Sequence, residues 1–213
     1  MAAFNIGSQT IHSGLGLRVV DRTADGDTVI PNQATALQMS WAGTLYIIID
    51  EKSMVGPSTL ARVDQQLQLI FPTHRDQPFG GQSVLFVGDF GQLPPVGEPA
   101  LFSSRPSLNQ EHIWGMALYP SFTESITLDV VMRQNSSDTS AVQFRDLLAQ
   151  LRNCDPQPQD YELLSARFWS QLTPTERSSF DAAIYLCPMC ESVTAVNIET
   201  LHHSRCPVLM IPA

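Results

Sequence analysis

Two acids, Asp50 and Glu51, stand side by side at the end of the apolar run Leu45-Tyr46-Ile47-Ile48-Ile49. A carboxylate held at a strand end can carry a hard cation such as magnesium, and a second one beside it is free to orient and deprotonate a water aimed at phosphate. The pattern recurs at Ser83 to Gly88, which runs into Asp89, with Gln92 further along the string Gly-Asp-Phe-Gly-Gln-Leu-Pro-Pro-Val at 88 to 96. An amide both donates and accepts hydrogen bonds, so Gln92 suits a phosphate sensor, or equally a cap for the turn before Pro94-Pro95. Two parallel strands that present polar groups at their carboxyl ends make one site.

The elements that would position these groups alternate in type. Short apolar segments bounded by turn residues predict strands at Leu45 to Ile49, Val84 to Val87, Ile126 to Val131 and Ala183 to Cys187. Between them Leu60, Val63, Leu67 and Ile70 recur at helical spacing after Gly56-Pro57 and stop at Pro72. Further helices are expected near Ile113 to Leu118, over Ser140 to Arg152 and over Ser192 to Leu201, and surface loops at Pro72 to Gly81 and Ser103 to Glu111. Strands alternating with helices imply an α/β fold with a parallel sheet covered on both faces by helices, because parallel neighbours need crossover connections.

Composition narrows the partners. The chain has 213 residues, 43% of them apolar, which is enough for ordinary cores in one large or two small domains. A net charge of −9 argues against binding nucleic acid through a diffuse cationic surface. Lys52 is the single lysine among 12 basic residues, and arginine suits fixed bidentate phosphate contacts better. No apolar stretch approaches the ~20 residues of a membrane span, and no secretory leader pattern opens the sequence, so a soluble, non-secreted protein is expected. Four cysteines are sparse for a disulfide scaffold and read as thiols.

Taken in order, Ile47 to Val55, Phe79 to Gln82 and Gly88 to Val96 resemble consecutive motifs of superfamily-one DNA helicases. The similarity is to the PIF-type, RecD-like branch, which includes forms carried by Helitron transposons. Ala2 to Gly7 leading into Thr10-Ile11-His12-Ser13 resembles that family's first strand-binding motif. Leu128 to Gln134 resembles the motif opening the second motor domain, and Leu186-Cys187-Pro188 with Val193 and Asn197 a later segment of it.

The resemblance implies a RecA-like parallel sheet with flanking helices, an N-terminally truncated first motor domain over 1–122 and the beginning of a second over 123–213. It implies ATP and Mg2+ as cofactors, with Asp50 binding the metal, Glu51 as general base, Gln92 sensing the γ-phosphate and Arg133 acting as arginine finger. Thr10, His12 and Ser13 would touch single-stranded DNA, and duplex/single-strand junctions are the implied substrates of a 5′ to 3′ motor. A nuclear or mitochondrial setting in a eukaryote follows, in DNA repair, recombination or telomere maintenance.

The pattern is broken in places. The string Gly-x-x-Gly-x-Gly-Lys-Ser/Thr, whose amides and lysine grip phosphates, does not occur in the 213 residues. The expectation is therefore a fragment, inactive as an ATPase on its own, with a non-catalytic remnant that binds DNA or protein as the alternative. A metal-dependent hydrolase using Asp50, Glu51 and Asp89 is a third reading, one that leaves Gln92 and Arg133 without a role. Lys52 beside Glu51 either favours that carboxylate's charged form, making a weaker base, or points to solvent. Cys187-Pro188-Met189-Cys190 with His202, His203 and Cys206 offers zinc-ligand spacing, against which stands the packing of thiols as small hydrophobes.

Overall fold

The computed structural model of the chain describes residues 7–17, 31–133, 137–180 and 183–203. Ala2 to Ile6, Gln134 and Cys206, which belong to expected motifs, lie outside the described residues. Two compact units are formed, Met1–Asn153 and Cys154–Ala213.

Strand β1 (Tyr46–Ile49) pairs in parallel with β2 (Ser83–Phe86), with Ile47 opposite Val84 and Ile49 opposite Phe86. The α/β expectation is met, and the crossover that a parallel pair demands contains helix α3 (Pro57–Ile70). The expected cover on both faces is corrected: side chains alternate along β1, and Ile47 and Ile49 are buried under α3 while Tyr46 and Ile48, on the other face, are exposed. Gly56 caps α3, Pro57 occupies its first turn, and Phe71, ahead of Pro72, leaves helical geometry at φ −112° and ψ 68°. Leu60, Ala61, Val63 and Leu67 are fully buried against β1 and its neighbours. Each large aliphatic side chain so placed contributes about 1.5–3 kcal/mol of burial.

The segment expected as a surface loop between α3 and β2 differs in part. Phe79 and Gly80 are buried and adopt left-handed backbone geometry, at φ 55° and 60°. A Cβ at position 80 would stand 2.7 Å from the Leu67 carbonyl oxygen, so the turn can enter the core only with glycine there. What pulls it in is Asp64, fully buried on the apolar stripe of α3. Its carboxylate accepts hydrogen bonds from the Phe79 N–H at 2.5 Å, the Trp114 indole N–H at 2.8 Å and the Gln68 amide at 3.0 Å. One side chain thus joins α3, the buried turn and α4 (Gln110–Leu118). Gly115 lets α4 come close: a Cβ on it would lie 1.8 Å from the Pro57 carbonyl oxygen.

Around this centre lie α1 (Ile11–Leu15), whose Leu15 joins the core, and α2 (Pro31–Ser40). Helix α5 (Thr139–Arg152) begins on an Asp138 cap that accepts from the Ser140 N–H, and it buries Leu147. The second unit holds α6 (Pro158–Ser165), α7 (Pro174–Ser178) and α8 (Cys190–His203). Thr173 and Glu176 cap α7 reciprocally, each side chain bonding the other residue's backbone N–H.

Two expected strands are corrected. Ile126 to Val131 and Ala183 to Cys187 are irregular, and Ile126, Leu128, Ile184 and Leu186 are almost wholly exposed. Apolar composition suits a strand, but a strand exists only through a ladder, and among the described residues neither segment has a partner. No helix among the described residues is long and apolar enough to cross a membrane.

Asp64→Ala leaves buried N–H donors of Phe79 and Trp114 unpaired, so we expect a loss of about 2–4 kcal/mol in urea unfolding. Asp64→Asn, which keeps one acceptor oxygen, is expected to cost less. Gly115→Ala forces α4 off the start of α3 and is expected to lower stability by about 1–3 kcal/mol in the same measurement.

Candidate functional site

Pairing continues past the two strands and brings their acidic ends together. The Val87 N–H donates to the Ile49 carbonyl at 2.8 Å, and the Lys52 N–H donates back to the Val87 carbonyl at 3.0 Å. Gly88 follows at φ 136°, pressed so closely on the neighbouring strand end that a Cβ would meet the Lys52 nitrogen at 2.8 Å and the Glu51 Cα at 3.3 Å. A glycine is needed there both for its backbone angle and for the approach. The Asp-Glu pair and the Gly-Asp-Phe-Gly-Gln string are therefore neighbours in space.

Asp50 and Glu51 are exposed at the end of β1. Asp50 Oδ1 accepts the Glu51 N–H at 2.9 Å, which fixes the first carboxylate against its own backbone. Glu51 sits in left-handed geometry, φ 56° and ψ 47°, and starts the 3-10 turn Lys52–Met54. For a residue with a Cβ that conformation costs about 1–2 kcal/mol, and it turns the chain sharply between the two acids. Two accessible carboxylates, one anchored, are a donor set that fits a hard divalent cation with water completing its shell.

Asp89, the acid ending the second segment, is engaged differently. Its Oδ2 accepts from Arg152 Nε at 2.8 Å and its Oδ1 from Arg152 Nη2 at 2.7 Å, a two-pronged pair with the last residue of α5. Oδ1 also accepts the Gly91 N–H at 2.9 Å, and the Asp89 carbonyl accepts the Gln92 N–H at 3.0 Å. The Arg152 hydrogen bonds, then the Gly91 amide, hold the Asp89 carboxyl down at about 2, against a small opposing effect of burial. Asp89 is engaged by Arg152 and Gly91, and among the described residues no group of three or more His, Cys, Asp or Glu side chains could hold a metal ion, which tells against the three-acid site of the metal-hydrolase reading.

Lys52 does not simply point to solvent. Its ammonium rests over the Phe90 ring, 4.8 Å from the centroid, a cation–π contact that ties the two strand-end segments together once more. Gln92 is exposed beyond this contact, and Pro95 is buried two residues past the exposed Leu93.

The remaining predicted residues are distributed elsewhere. Thr10 caps α1, its hydroxyl accepting the Ser13 N–H at 3.2 Å, and His12 lies exposed on the same short helix. Arg133 is exposed in a turn and makes no hydrogen bond or ion pair with Asp50, Glu51 or Gln92 among the described residues. Cys187 is half-buried and Cys190 is exposed at the start of α8; among the described residues no group of three or more His, Cys, Asp or Glu side chains could hold a metal ion.

Two residues at the site escaped sequence reasoning. Glu98 caps α3 from a distant loop, its carboxylate accepting the Ser58 N–H at 2.8 Å and the Thr59 N–H at 3.3 Å, where the helix dipole favours an anion. Gly56 makes room for it, since a Cβ there would meet Glu98 at 2.5 Å. Arg152 is the other. Neither partner lies near in sequence, and a basic residue in the last turn of a helix was the only available sign of Arg152.

Comparison with known proteins agrees with this geometry. A sequence profile of the PIF1-like helicase family matches residues 1–161. The ATP-dependent DNA helicase RRM3 of Saccharomyces cerevisiae is 36% identical over 137 residues, 64% of this chain and 18% of that protein. The ATP-dependent DNA helicase Pif1 of Psychrobacter is 38% identical over 97 residues, 46% of this chain and 14% of that one. The yeast ATP-dependent DNA helicase PIF1 is 28% identical over 195 residues, 84% of this chain and 21% of the relative. The chain thus spans about a fifth or less of the length of these relatives. A crystal structure of Pif1 helicase from Bacteroides in complex with ADP-AlF3 and ssDNA shares the fold, with a TM-score of 0.59 and 24% identity, over 97% of this chain and 46% of that one. With a family profile running through most of the chain, and two strand ends that carry Asp-Glu and Gly-Asp-Phe-Gly-Gln lying side by side in a RecA-like α/β fold, this protein belongs to the PIF1-like helicase family.

Proposed function

We propose that this chain is part of an ATP-dependent DNA helicase that couples MgATP hydrolysis to 5′ to 3′ movement on single-stranded DNA and to unwinding at duplex junctions. The observation that carries the reading is the stitched pair of strand ends, which sets Asp50 and Glu51 beside the Gln92 loop. Named relatives that are ATP-dependent DNA helicases, and a similarly folded Pif1 whose crystal structure contains ADP-AlF3 and ssDNA, support it.

In this reading magnesium, when bound, neutralises charge on the transferring phosphoryl group. Asp50 holds the cation with the carboxylate that its neighbour's amide already orients. Glu51, whose carboxylate is exposed, accepts the proton of the attacking water. Gln92 hydrogen-bonds the terminal phosphate through its amide, and Arg133 supplies positive charge to the same group when the motor closes. Thr10, His12 and Ser13 contact the DNA strand, so Thr10 would both cap α1 and face the backbone. By motif the chain divides into part of a first motor domain over 1–122 and part of a second over 123–213, a division distinct from the compact grouping of residues 1–153. In a eukaryote the protein would act in the nucleus or the mitochondrion.

A second reading applies to the 213 residues taken by themselves, and the sequence observation that favours it is the lack of any phosphate-gripping Gly-Lys-Ser/Thr string. The chain then binds DNA or a partner without turning over ATP.

ATP turnover with single-stranded DNA separates the two. We expect none from the 213-residue chain and robust turnover from a chimera in which it replaces the matching region of a PIF1-like relative. Activity of the short chain alone would overturn the second reading, and an inactive but folded chimera would overturn the first. In the chimera Glu51→Gln is expected to lower kcat by about 10²–10⁴-fold. Arg133→Ala is expected to lower it by about 10³-fold or more. A drop of less than twofold for either would remove that residue from its assigned role.

A further inference from the structure

We infer that Arg152 is a positioning residue for the Gln92 loop: from the last turn of α5 it clasps Asp89, and through Asp89 it holds the turn that presents Gln92. The inference rests on the helicase reading for its functional consequence, though the clasp itself stands on geometry alone.

Three independent features build the clasp. First, the guanidinium meets both carboxylate oxygens in the fork-to-fork arrangement that only arginine makes, at 2.8 Å and 2.7 Å. Second, the same carboxylate accepts the Gly91 N–H, while the Asp89 carbonyl accepts the Gln92 N–H, so orientation of Asp89 sets both residues of the turn. Third, the loop is shaped around the guanidinium. A Cβ at position 91 would lie 3.0 Å from Arg152 Cγ and Nε and 3.3 Å from Cζ, and Gly91 has no left-handed backbone of its own to require glycine. The glycine is explained by the arginine it accommodates.

An exposed ion pair contributes little to stability as a rule, and here the side chains are 54% and 32% exposed. Its value lies elsewhere. Residues 89 and 152 are far apart in sequence, and the clasp makes the position of α5 a condition for the conformation of the turn at the end of β2. Because α5 follows the Arg133 segment, any movement of that helix reaches Gln92 through one side-chain pair. The clasp also withholds Asp89 from the cation and leaves that task to Asp50. Lys52 adds a second, more distant positive charge near Asp89.

Nuclear magnetic resonance on the 213-residue chain tests the clasp, and kinetics in the chimera test its consequence. Asp89's carboxyl is held below its ordinary value, so the bonded state persists from neutral pH downward and is lost as pH falls through about 2. In Arg152→Gln its titration midpoint is expected to rise toward the ordinary ~3.9. Amide exchange at Gly91 and Gln92 is expected to quicken about tenfold, with α3 amides unchanged. Arg152→Lys should recover only part of this, because an ammonium cannot span both oxygens. Gly91→Ala, which crowds the guanidinium without touching its charge, should reproduce the faster exchange.

In the chimera Arg152→Gln and Gln92→Ala are expected to lower kcat non-additively, the double variant being no worse than Gln92→Ala alone. Unchanged Asp89 titration and unchanged exchange in Arg152→Gln would overturn the clasp. Fully additive kcat losses would overturn the positioning role. Should the chimera prove inactive, the helicase reading falls while the resonance measurements still decide whether Arg152 orders the turn.

Discussion

Parallel pairing of β1 with β2 is the constraint from which the site follows. Two strands running the same way cannot be joined by a tight turn, so the chain must leave Ile49, cross a face of the sheet and return to Ser83. That requirement places α3 over the sheet, buries Leu60, Val63 and Leu67 against Ile47 and Ile49, and puts both carboxyl ends at one edge. The acids are neighbours because the register sets Ile49, the residue before Asp50, opposite Phe86, and the Val87 backbone, two residues before Asp89, carries the pairing on to Lys52. A slip by one residue would exchange the buried and exposed faces of β1 and separate the Glu51–Lys52 backbone from Gly88.

Close approach without side chains is the second theme. Gly88 against Lys52, Gly80 against Leu67, Gly115 against Pro57 and Gly91 against Arg152 each mark a place where backbone or guanidinium occupies the room a Cβ would need. At Gly80 and Gly115 the result is a tight core around Asp64. At Gly88 and Gly91 it is a pair of loops whose polar groups are held in place by contacts that leave Asp50, Glu51 and Gln92 open to solvent. On the proposed reading, such supports would let a bound polyphosphate find its partners already oriented.

Carboxylates in this chain divide by what they accept. Asp64 collects donors within the core and serves packing; Glu98 collects the amides at the start of α3; Asp89 collects Arg152 and the Gly91 amide. Asp50 is only half engaged and Glu51 has no partner among the described residues, although in the sequence all five are simply acids. The metal-binding and base roles proposed for the site fall to the two that remain available.

The order and spacing of residues by themselves determined the element types that depend on local pattern: β1, β2, α3, α4, α5 and α8 were legible from short apolar runs and helical spacing, together with the Pro and Gly that bound α3. They also determined the family and the strand-end acids, because Asp50, Glu51 and the 88–96 string owe their meaning to adjacency along the chain. Only the tertiary structure decided that Asp89 is spoken for, that Lys52 lies on Phe90, that Phe79 turns into the core, and that Ile126 to Val131 and Ala183 to Cys187 form no ladder among the described residues. Each of these depends on a partner tens of residues away or on whether a partner is present at all. Hydrogen bonds, close approach and strand pairing are properties of two segments at once, and one segment read alone carries no record of the other.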